Sequence, residues 1–198
     1  DLGTVMGNVY HTKEEMIDCV NAFYEGMVQR SEQMKRHPNY KTGENYAYLV
    51  LPPCFLIFDE YVAFSEMLGT KESVGLLSQL KKIVMLGRQA GYFLIVAGQR
   101  PYAKYFSDGI RDNFNFRVGL GRISELGYGM LFGSDVKKQF FQKRIKGRGY
   151  CDVGTSVISE FYTPLVPKGH DFLQTIGFLA QARQDGTATC EAKGDGTD

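Results

Sequence analysis

The sequence predicts an α/β fold in which a mostly parallel sheet is flanked by helices. Two short runs are apolar throughout, FLIF at 55–58 and YFLIVAG at 92–98, and a segment with helical spacing of apolar residues lies between them. Strands that are apolar on both faces are typical of a parallel sheet with helices on each side. We therefore expect helices to cover both faces of this sheet.

The first predicted element is a helix over 13–36. Apolar residues recur at helical spacing between Met16 and Met34, and Thr12 followed by Glu15 is the pattern of an N-terminal capping box. The helix should end before Pro38, because a residue that precedes proline avoids the helical region. The polar stretch 37–45 is predicted to be a loop.

The middle of the chain predicts a strand, a helix and two further strands. The strand at 55–58 is short and aromatic, and the helical spacing that follows covers 74–89 and ends at Gly91, a typical helix stop. The next strands are predicted at 92–98 and 116–123. Beyond them we expect a basic amphipathic helix over Lys137–Lys146 and closing strands at 147–153 and 157–166.

Composition places the chain among ordinary soluble globular proteins. Of its 198 residues 43% are hydrophobic and 23% are charged. No apolar run approaches the roughly 20 residues that a membrane span needs. The four cysteines and three histidines are dispersed, which disfavours a zinc site. We expect one partial domain over 1–183 and a disordered tail over 184–198, since the tail has no apolar periodicity.

Charge is distributed unevenly along the chain. The segment 81–148 holds fourteen basic and four acidic residues, a net charge of +10, whereas the rest of the chain carries −9. An excess of this size favours a polyanionic partner such as phosphate or nucleic acid. The alternative is that the basic residues lie on several faces and only solvate them.

Two carboxylates, Asp59 and Glu60, directly follow the first apolar strand, and Gln99 follows the second. Ligands of an open parallel sheet bind beyond the carboxyl ends of its strands. In nucleotide hydrolysis one carboxylate holds Mg²⁺ and its neighbour orients and deprotonates the attacking water. An acidic strand end that faces solvent by chance is the simpler explanation of the carboxylates alone.

Three motifs in order give the chain a family resemblance: LIFDEYVAF, then LKKIVMLGRQAGYFLIVAGQRP, then IRDNFNFRVGL. They resemble the FtsK/SpoIIIE family of DNA translocases, whose motor domain is a RecA-like P-loop NTPase core. The resemblance covers roughly 9–153. The chain departs from the family at Gly98, where threonine is usual, in a segment after the first strand that is about four residues longer, and at Glu125, near a position that is basic in the family.

The resemblance implies a role for each matching residue. Asp59 corresponds to the Walker-B aspartate that acts on Mg²⁺, Glu60 to the catalytic base, and Gln99 to the sensor of the ATP γ-phosphate. Arg88 matches an arginine finger that faces a neighbouring subunit's nucleotide; its alternative role is to oppose the helix macrodipole. Arg100 and Arg111 match basic positions on loops that face DNA, and Arg122 is a candidate substitute for the basic residue missing at Glu125. Arg117 is expected to face an interface, a phosphate or solvent.

The chain contains no phosphate-binding loop of the form GxxxxGK[ST]. In the resembled family that loop lies upstream of the helix matching 13–36, so we expect this chain to be the C-terminal part of a motor domain and to lack ATPase activity alone. The implied whole is a ring, a hexamer by resemblance, that moves double-stranded DNA at the cytoplasmic face of the membrane, as in chromosome segregation or conjugation. Two alternatives stay open: an FtsK-like ATPase domain of a protein-secretion machine of the EssC/EccC type, and a non-catalytic interaction module.

Overall fold

The computed structural model describes residues 2–99, 110, 113–136, 139–141, 144–155 and 157–184. They fall into two units, a main unit within 12–164 and a terminal unit formed by 2–11 together with 165–184. The main unit contains helices α1 (Lys13–Arg36), α2 (Tyr61–Met67), α3 (Thr70–Ala90) and α4 (Glu125–Phe132), and strands β1 (Cys54–Phe58), β2 (Tyr92–Val96), β3 (Arg117–Leu120), β4 (Arg148–Asp152) and β5 (Ile158–Tyr162). A short 3₁₀ helix, Tyr46–Leu49, precedes β1.

Helix α1 begins and ends where the sequence predicts. The Thr12 hydroxyl accepts a hydrogen bond from the Glu15 N–H (3.3 Å), and the Glu15 carboxylate accepts one from the Thr12 N–H (3.1 Å). This reciprocal pair satisfies N–H groups that have no partner within the helix. The last helical residue is Arg36, two residues before Pro38. The buried stripe of the helix consists of Val20, Met27 and Met34.

Strands β1 and β2 form the predicted parallel pair, with Cys54 opposite Tyr92 and Phe58 opposite Val96. Helices α1 and α3 pack on the face of the pair that carries Leu56 and Phe58, and together they enclose the main hydrophobic core. Burying a side chain of leucine or phenylalanine size stabilises the fold by roughly 1.5–3 kcal/mol. The core therefore holds the two strands at a fixed distance from both helices.

The opposite face of the same pair is largely exposed among the described residues. Phe55 is 55% exposed and Ile57 is 65% exposed, and Phe55 stacks on Phe93 with ring centres 5.5 Å apart. The described chain thus covers one face of this sheet, whereas the sequence predicts cover on both. The difference arises because α1 and α3 lie on the same side.

Two glycines shape the connection from α3 to β2. Gly91 adopts a left-handed backbone (φ 76°) and ends the helix, as predicted. At Gly87 a Cβ atom would stand 2.2 Å from the carbonyl oxygen of Tyr92, so only glycine allows the helix to lie this close to the strand. The helix and strand are consequently packed backbone against backbone at this point.

Arg30 of α1 ties the helix to the amino ends of both strands. Its guanidinium donates hydrogen bonds to the carbonyl oxygens of Pro52 (2.7 Å) and Ala90 (3.4 Å) and to the Cys54 sulfur (3.4 Å). The same group lies 4.8 Å from the ring centre of Tyr92. This cation is therefore used for packing and not for binding a ligand.

The closing strands form a second sheet, in which β3, β4 and β5 pair antiparallel in that order. One face of this sheet packs against α4 around a small aromatic core of Tyr128, Phe132, Tyr150 and Ile158. The sequence analysis did not anticipate the antiparallel pairing. For β4 and β5 the pairing follows from their short connection, 153–157, which cannot return a strand in parallel.

Several element boundaries differ from the prediction. Helices α2 and α4 were not predicted, α3 begins at Thr70 instead of 74, and β2 and β3 are shorter than expected. The helix predicted over Lys137–Lys146 is wrong for its described residues, 139–141 and 144–146, none of which is helical. Here the Arg148 N–H donates to the Ile145 carbonyl (3.2 Å) across Gly147, whose positive φ (72°) suits a turn into β4.

The terminal unit contains a short 3₁₀ helix, Leu2–Thr4, and helix α5, Phe172–Gln184, which the sequence analysis missed. The Asp171 carboxylate accepts a hydrogen bond from the Gln174 N–H (3.0 Å) at the start of α5. Within the described ranges no helix combines the length and apolar content needed to cross a bilayer. The predicted tail begins at the last residue of α5, and 185–198 lie outside the described residues.

Candidate active site

The backbone beyond β1 and β2 brings the residues that follow the two strands side by side. The Ala97 N–H donates to the Phe58 carbonyl (2.8 Å), and the Tyr61 N–H donates to the Ala97 carbonyl (3.1 Å). These bonds extend the parallel pairing past the last strand residues. Asp59 and Glu60 therefore lie beside Gly98 at the carboxyl edge of the sheet.

Glu60 occupies a left-handed backbone conformation, with φ and ψ both at 59°. For a residue other than glycine this conformation costs on the order of 1–3 kcal/mol and is found most often at functional positions. Only Asp59 and Glu60 separate β1 from α2, and Glu60 is the N-cap residue of the helix. This strain is a local feature that the surrounding packing must hold in place.

An aromatic cluster holds that turn. Tyr61, the first residue of α2, is buried with Phe64, and its ring lies 5.4 Å from that of Phe58, the last residue of β1. Burial raises the pKa of the Tyr61 phenol to about 12. The cluster anchors both sides of Glu60 and leaves the strained residue between them at the surface.

The Glu60 carboxylate lies next to Gly98. A Cβ atom built on Gly98 would stand 3.8 Å from the Glu60 Oε1 atom, an ordinary van der Waals contact. No hydrogen bond or ion pair joins the side chain of Asp59 or Glu60 to another residue within the described ranges. Asp59 is exposed and Glu60 is half-exposed. Both carboxylates are therefore open to a ligand.

The donor set of this edge fits Mg²⁺ bound with a nucleotide. Carboxylate oxygens are ligands that Mg²⁺ prefers, and it usually takes one or two of them and completes its shell with phosphate and water oxygens. Among the residues that the structure describes, no three His, Cys, Asp or Glu side chains converge on one point. A metal ion here would accordingly depend on Asp59, with Glu60 beside it, and on ligands from elsewhere.

The remaining predicted residues lie in three different places. Gln99 is exposed and directly follows Gly98 at the same edge of the sheet. Arg88 is exposed in the last turn of α3, which leads to the amino end of β2. Since a five-residue strand spans about 13 Å, Arg88 lies at the opposite end of the sheet from Glu60. The structure does not bring Arg88 into the site of its own chain.

Of the arginines considered for DNA, two lie outside the described residues: Arg100 and Arg111. Arg122 is exposed in the turn between β3 and α4. Arg117 does not face solvent or a phosphate. Its guanidinium bonds the buried Asp152 carboxylate (2.5 Å) and the Leu131 carbonyl (3.1 Å), which makes it an internal tie between β3, β4 and α4.

The sequence analysis missed the role of α2 and of the backbone at Glu60. The available signal for α2 was the helical spacing of the apolar residues Tyr61 and Phe64. Nothing in the sequence marks Glu60 as left-handed, because glutamate rarely adopts that conformation. Gly98 departs from the threonine usual in the resembled family, and a Cβ atom there would make ordinary contacts with Glu60 Oε1 (3.8 Å) and the Val62 side chain (4.0 Å).

Comparison with known proteins gives one sequence relative and several solved structures. No protein-family model matches the chain. The chain is 52% identical over 190 residues to the FtsK domain-containing protein YdcQ of Bacillus subtilis (strain 168). That match covers 96% of the chain, which spans 39% of the relative's length.

Solved structures with the same fold are ATPases and a coupling protein. The conjugation coupling protein TcpA of pCW3, in its monomer form with ATPγS, gives a TM-score of 0.63 at 17% identity over 85% of this chain and 49% of that one. The type VII secretion ATPase EccC of Thermomonospora curvata gives 0.59 at 19% identity, over 87% of this chain and 21% of that one. EssC (ATPases 2 and 3) of Geobacillus thermodenitrificans gives a TM-score of 0.57 at 15% identity, over 88% of this chain and 32% of that one.

The curated relative carries the FtsK domain in its name, and the solved structures share the fold. The chain belongs to the FtsK-domain family.

Proposed function

We propose that this chain supplies the hydrolytic half of an ATP-driven FtsK-type motor that moves double-stranded DNA. The observation that carries the proposal is the edge of the parallel sheet, where Asp59, Glu60 and Gln99 follow paired strands and the two carboxylates have no partner among the described residues. The partial RecA-like domain would extend over 1–183. ATP binding would require a phosphate loop that this chain does not contain.

The roles proposed for the carboxylates follow from their positions. When bound with ATP, Mg²⁺ neutralises charge on the transferred phosphoryl group. Asp59 is exposed at the end of β1 and is the residue placed to hold the ion, directly or through water. Glu60 is placed to accept a proton from the attacking water, and the backbone turn at Glu60 keeps it next to Gly98 instead of in the core.

Gln99 and Arg88 are proposed to act from two directions. Gln99 follows β2 at the same edge of the sheet as the carboxylates. Its amide N–H can donate to a phosphate oxygen or position the attacking water. Arg88 lies at the far end of the sheet, which supports a role on the nucleotide of an adjacent subunit in a ring. A hexamer at the cytoplasmic face of the membrane is the assembly that this arrangement would serve.

DNA is proposed as the track because of the charge on the second half of the chain. Arg122 is exposed on the β3–α4 turn, and Arg100 and Arg111 complete the proposed set from outside the described residues. Contacts of arginine to phosphates are independent of base sequence. The net charge of +10 over 81–148 is consistent with such binding.

The test uses the full-length protein that contains this chain. We expect ATP hydrolysis that requires Mg²⁺ and is stimulated by duplex DNA, and a loss of about 100-fold or more in turnover for Glu60→Gln. Asp18→Asn, which changes an exposed carboxylate on α1, is the matched control and should retain activity. Full activity in Glu60→Gln would remove the proposed base.

The isolated chain gives a second measurement. Without a phosphate loop it should bind ATP weakly and show no turnover. Turnover by the isolated chain that disappears with Glu60→Gln would contradict this expectation. No turnover even in the full-length protein would favour a non-catalytic interaction module.

A protein-secretion ATPase is the second candidate, and a specific observation favours it. The TM-scores to the secretion ATPases EccC and EssC, 0.59 and 0.57, are close to the 0.63 of the coupling protein. The two candidates differ in their substrate. Hydrolysis by the full-length protein that duplex DNA leaves unchanged would favour protein as the substrate.

A further inference from the structure

Four basic residues meet at one end of the three-stranded sheet, although they come from two separate segments. Strand β3 ends at Leu120, which lies opposite Gly149. The next residue, Gly121, donates its N–H to the Arg148 carbonyl (2.7 Å). This bond places the β3–α4 turn, which carries Arg122, against the turn that leads into β4. The second turn contributes Arg144, Lys146 and Arg148.

Backbone hydrogen bonds hold the second turn in place. The Arg148 N–H bonds the Ile145 carbonyl (3.2 Å), and the Thr163 N–H bonds the Gly147 carbonyl (2.8 Å) just beyond β5. All three strands thus fix the backbone from which the cations project. Because this backbone is already fixed, binding a polyanion would cost little backbone conformational entropy.

The Arg148 side chain is ordered by an aromatic ring. Its guanidinium lies 4.0 Å from the ring centre of Tyr162, which is its partner across β4 and β5. Stacking restrains the planar group and leaves its N–H edge able to bind phosphate oxygens. Arg148 is half-buried, and the other three basic side chains are exposed.

None of the four cationic groups forms an ion pair or hydrogen bond with another residue in the described ranges. They differ in this from Arg30 and Arg117, which the fold uses internally. Two carboxylates are near: Glu125 at the start of α4, and Glu160, which accepts a hydrogen bond from the Tyr162 hydroxyl. Among the described residues the local excess is therefore positive, and it is spread over two turns.

We propose that Arg122, Arg144, Lys146 and Arg148 form one contact surface for the sugar–phosphate backbone of duplex DNA. Cations spread over two adjacent turns suit the successive phosphates of a nucleic-acid backbone better than a single small anion. The inference rests on the proposed function, and adds three residues that the sequence analysis did not assign to DNA.

The test measures binding of the full-length protein to a fluorescent 30-base-pair duplex by anisotropy over a series of salt concentrations. The variant Arg144→Ala/Lys146→Ala removes two exposed side chains. Each lost phosphate contact should make the slope of log affinity against log salt concentration shallower by about 0.9. If affinities at 1 M salt are taken as equal, each lost contact should then weaken binding at 0.1 M salt about eightfold. We expect the loss on every duplex sequence.

The matched control is Lys35→Ala/Arg36→Ala, which removes the same charge from the last turn of α1. It should leave the salt slope unchanged. Arg148→Lys, which keeps the charge and loses the planar stack on Tyr162, should weaken binding by less than Arg148→Ala. Equal slopes for the wild type and Arg144→Ala/Lys146→Ala would overturn the proposal.

Two further outcomes separate the possible failures. If the wild type does not bind duplex DNA under any salt condition, both the proposed function and this inference fail. If it binds DNA but the four residues contribute nothing, only this inference fails. Because Ile145 is exposed between two of the cations, anionic lipid vesicles are the second probe. Binding to vesicles and not to DNA, abolished by Ile145→Ser, would assign the surface to a membrane and overturn the proposal.

Discussion

The carboxylates of Asp152 and Glu60 lie in opposite surroundings. Asp152 is 5% exposed, receives the Arg117 guanidinium at 2.5 Å and accepts a further hydrogen bond from the Gly154 N–H at 2.8 Å. Glu60 is half-exposed on a left-handed backbone, without a partner among the described residues. The first arrangement uses charge to hold elements together, whereas the second leaves charge at the edge of a sheet.

Burial and hydrogen-bond partners distinguish a carboxylate that stabilises the fold from one that is available to bind a ligand. A buried carboxylate needs its cation, because an unpaired buried charge is strongly unfavourable. The half-exposed Glu60 carboxylate, on a strained backbone, forms no hydrogen bond or ion pair within the described chain. This contrast supports the hydrolytic role proposed for Glu60, and it explains why Arg117 is unsuited to DNA binding.

The largest effect is expected at the buried pair. Asp152→Ala should destabilise the chain by about 3–5 kcal/mol, because it leaves the Arg117 guanidinium buried without a counter-ion. Chemical denaturation of the isolated chain measures the change. Arg117→Met combined with Asp152→Leu should recover most of it, since Arg117 Nε is already buried without a hydrogen-bond partner in the described chain. A loss below about 1 kcal/mol in the single variant would contradict this account.

Alanine substitutions at two glycines, one in the sheet of Asp152 and one beside Glu60, compare the same two regions. A Cβ atom on Gly149, in β4, would stand 1.9 Å from the Gly119 carbonyl oxygen, whereas the nearest atom to one on Gly98 is Glu60 Oε1 at 3.8 Å. Gly149→Ala should therefore cost about 1–3 kcal/mol or prevent folding. Gly98→Ala should change stability by less than about 0.5 kcal/mol. Thermal unfolding of both variants under one condition measures the two losses of stability. Similar losses at Gly149 and Gly98 would refute the prediction.

The parallel pair and α1 were predictable because their signals are local. Apolar runs define the strands, and Thr12 with Glu15 defines the start of α1 within four residues. The Arg117–Asp152 bond joins residues 35 positions apart, so it depends on the register of β3 and β4. No local pattern contains that register.

The candidate site was predictable only in part for the same reason. Strand ends and parallel pairing predicted that Asp59 would lie near Gln99, and the bonds around Ala97 place them at one edge. The conformation of Glu60 depends on the packing of Tyr61 against Phe58, which forms only in the folded chain. The helix predicted over Lys137–Lys146 is wrong for its described residues, the last of which lead through the turn at Gly147 into β4.

A moderate effect is expected from relieving the strain at Glu60. Glu60→Gly should stabilise the isolated chain by about 1 kcal/mol, because glycine adopts the left-handed region without the Cβ clash. Glu60→Ala keeps that clash and should bring no such gain. Denaturation midpoints of the three proteins measure the differences.

Val50 supplies a matched control for that prediction. It is the other described residue besides glycine with a left-handed backbone (φ 55°), and its side chain is 88% exposed. Val50→Gly should stabilise the chain by a similar amount and leave hydrolysis by the full-length protein intact. A gain at Val50 without one at Glu60 would mean that the turn at Glu60 is not strained.

The smallest effect concerns Glu72, a surface carboxylate of α3 that the fold does use. Hydrogen bonds from the Gly69 N–H (2.8 Å) and the Lys13 ammonium (3.1 Å) lower the pKa of Glu72 below its ordinary value near 4.5. Its contribution is therefore present above about pH 5 and is lost as pH falls through the lowered pKa. Glu72→Gln should reduce the thermal midpoint slightly at pH 7 and not at all at the acidic end. A difference from the wild type that grows as pH falls would contradict the stabilising role of the Glu72 carboxylate.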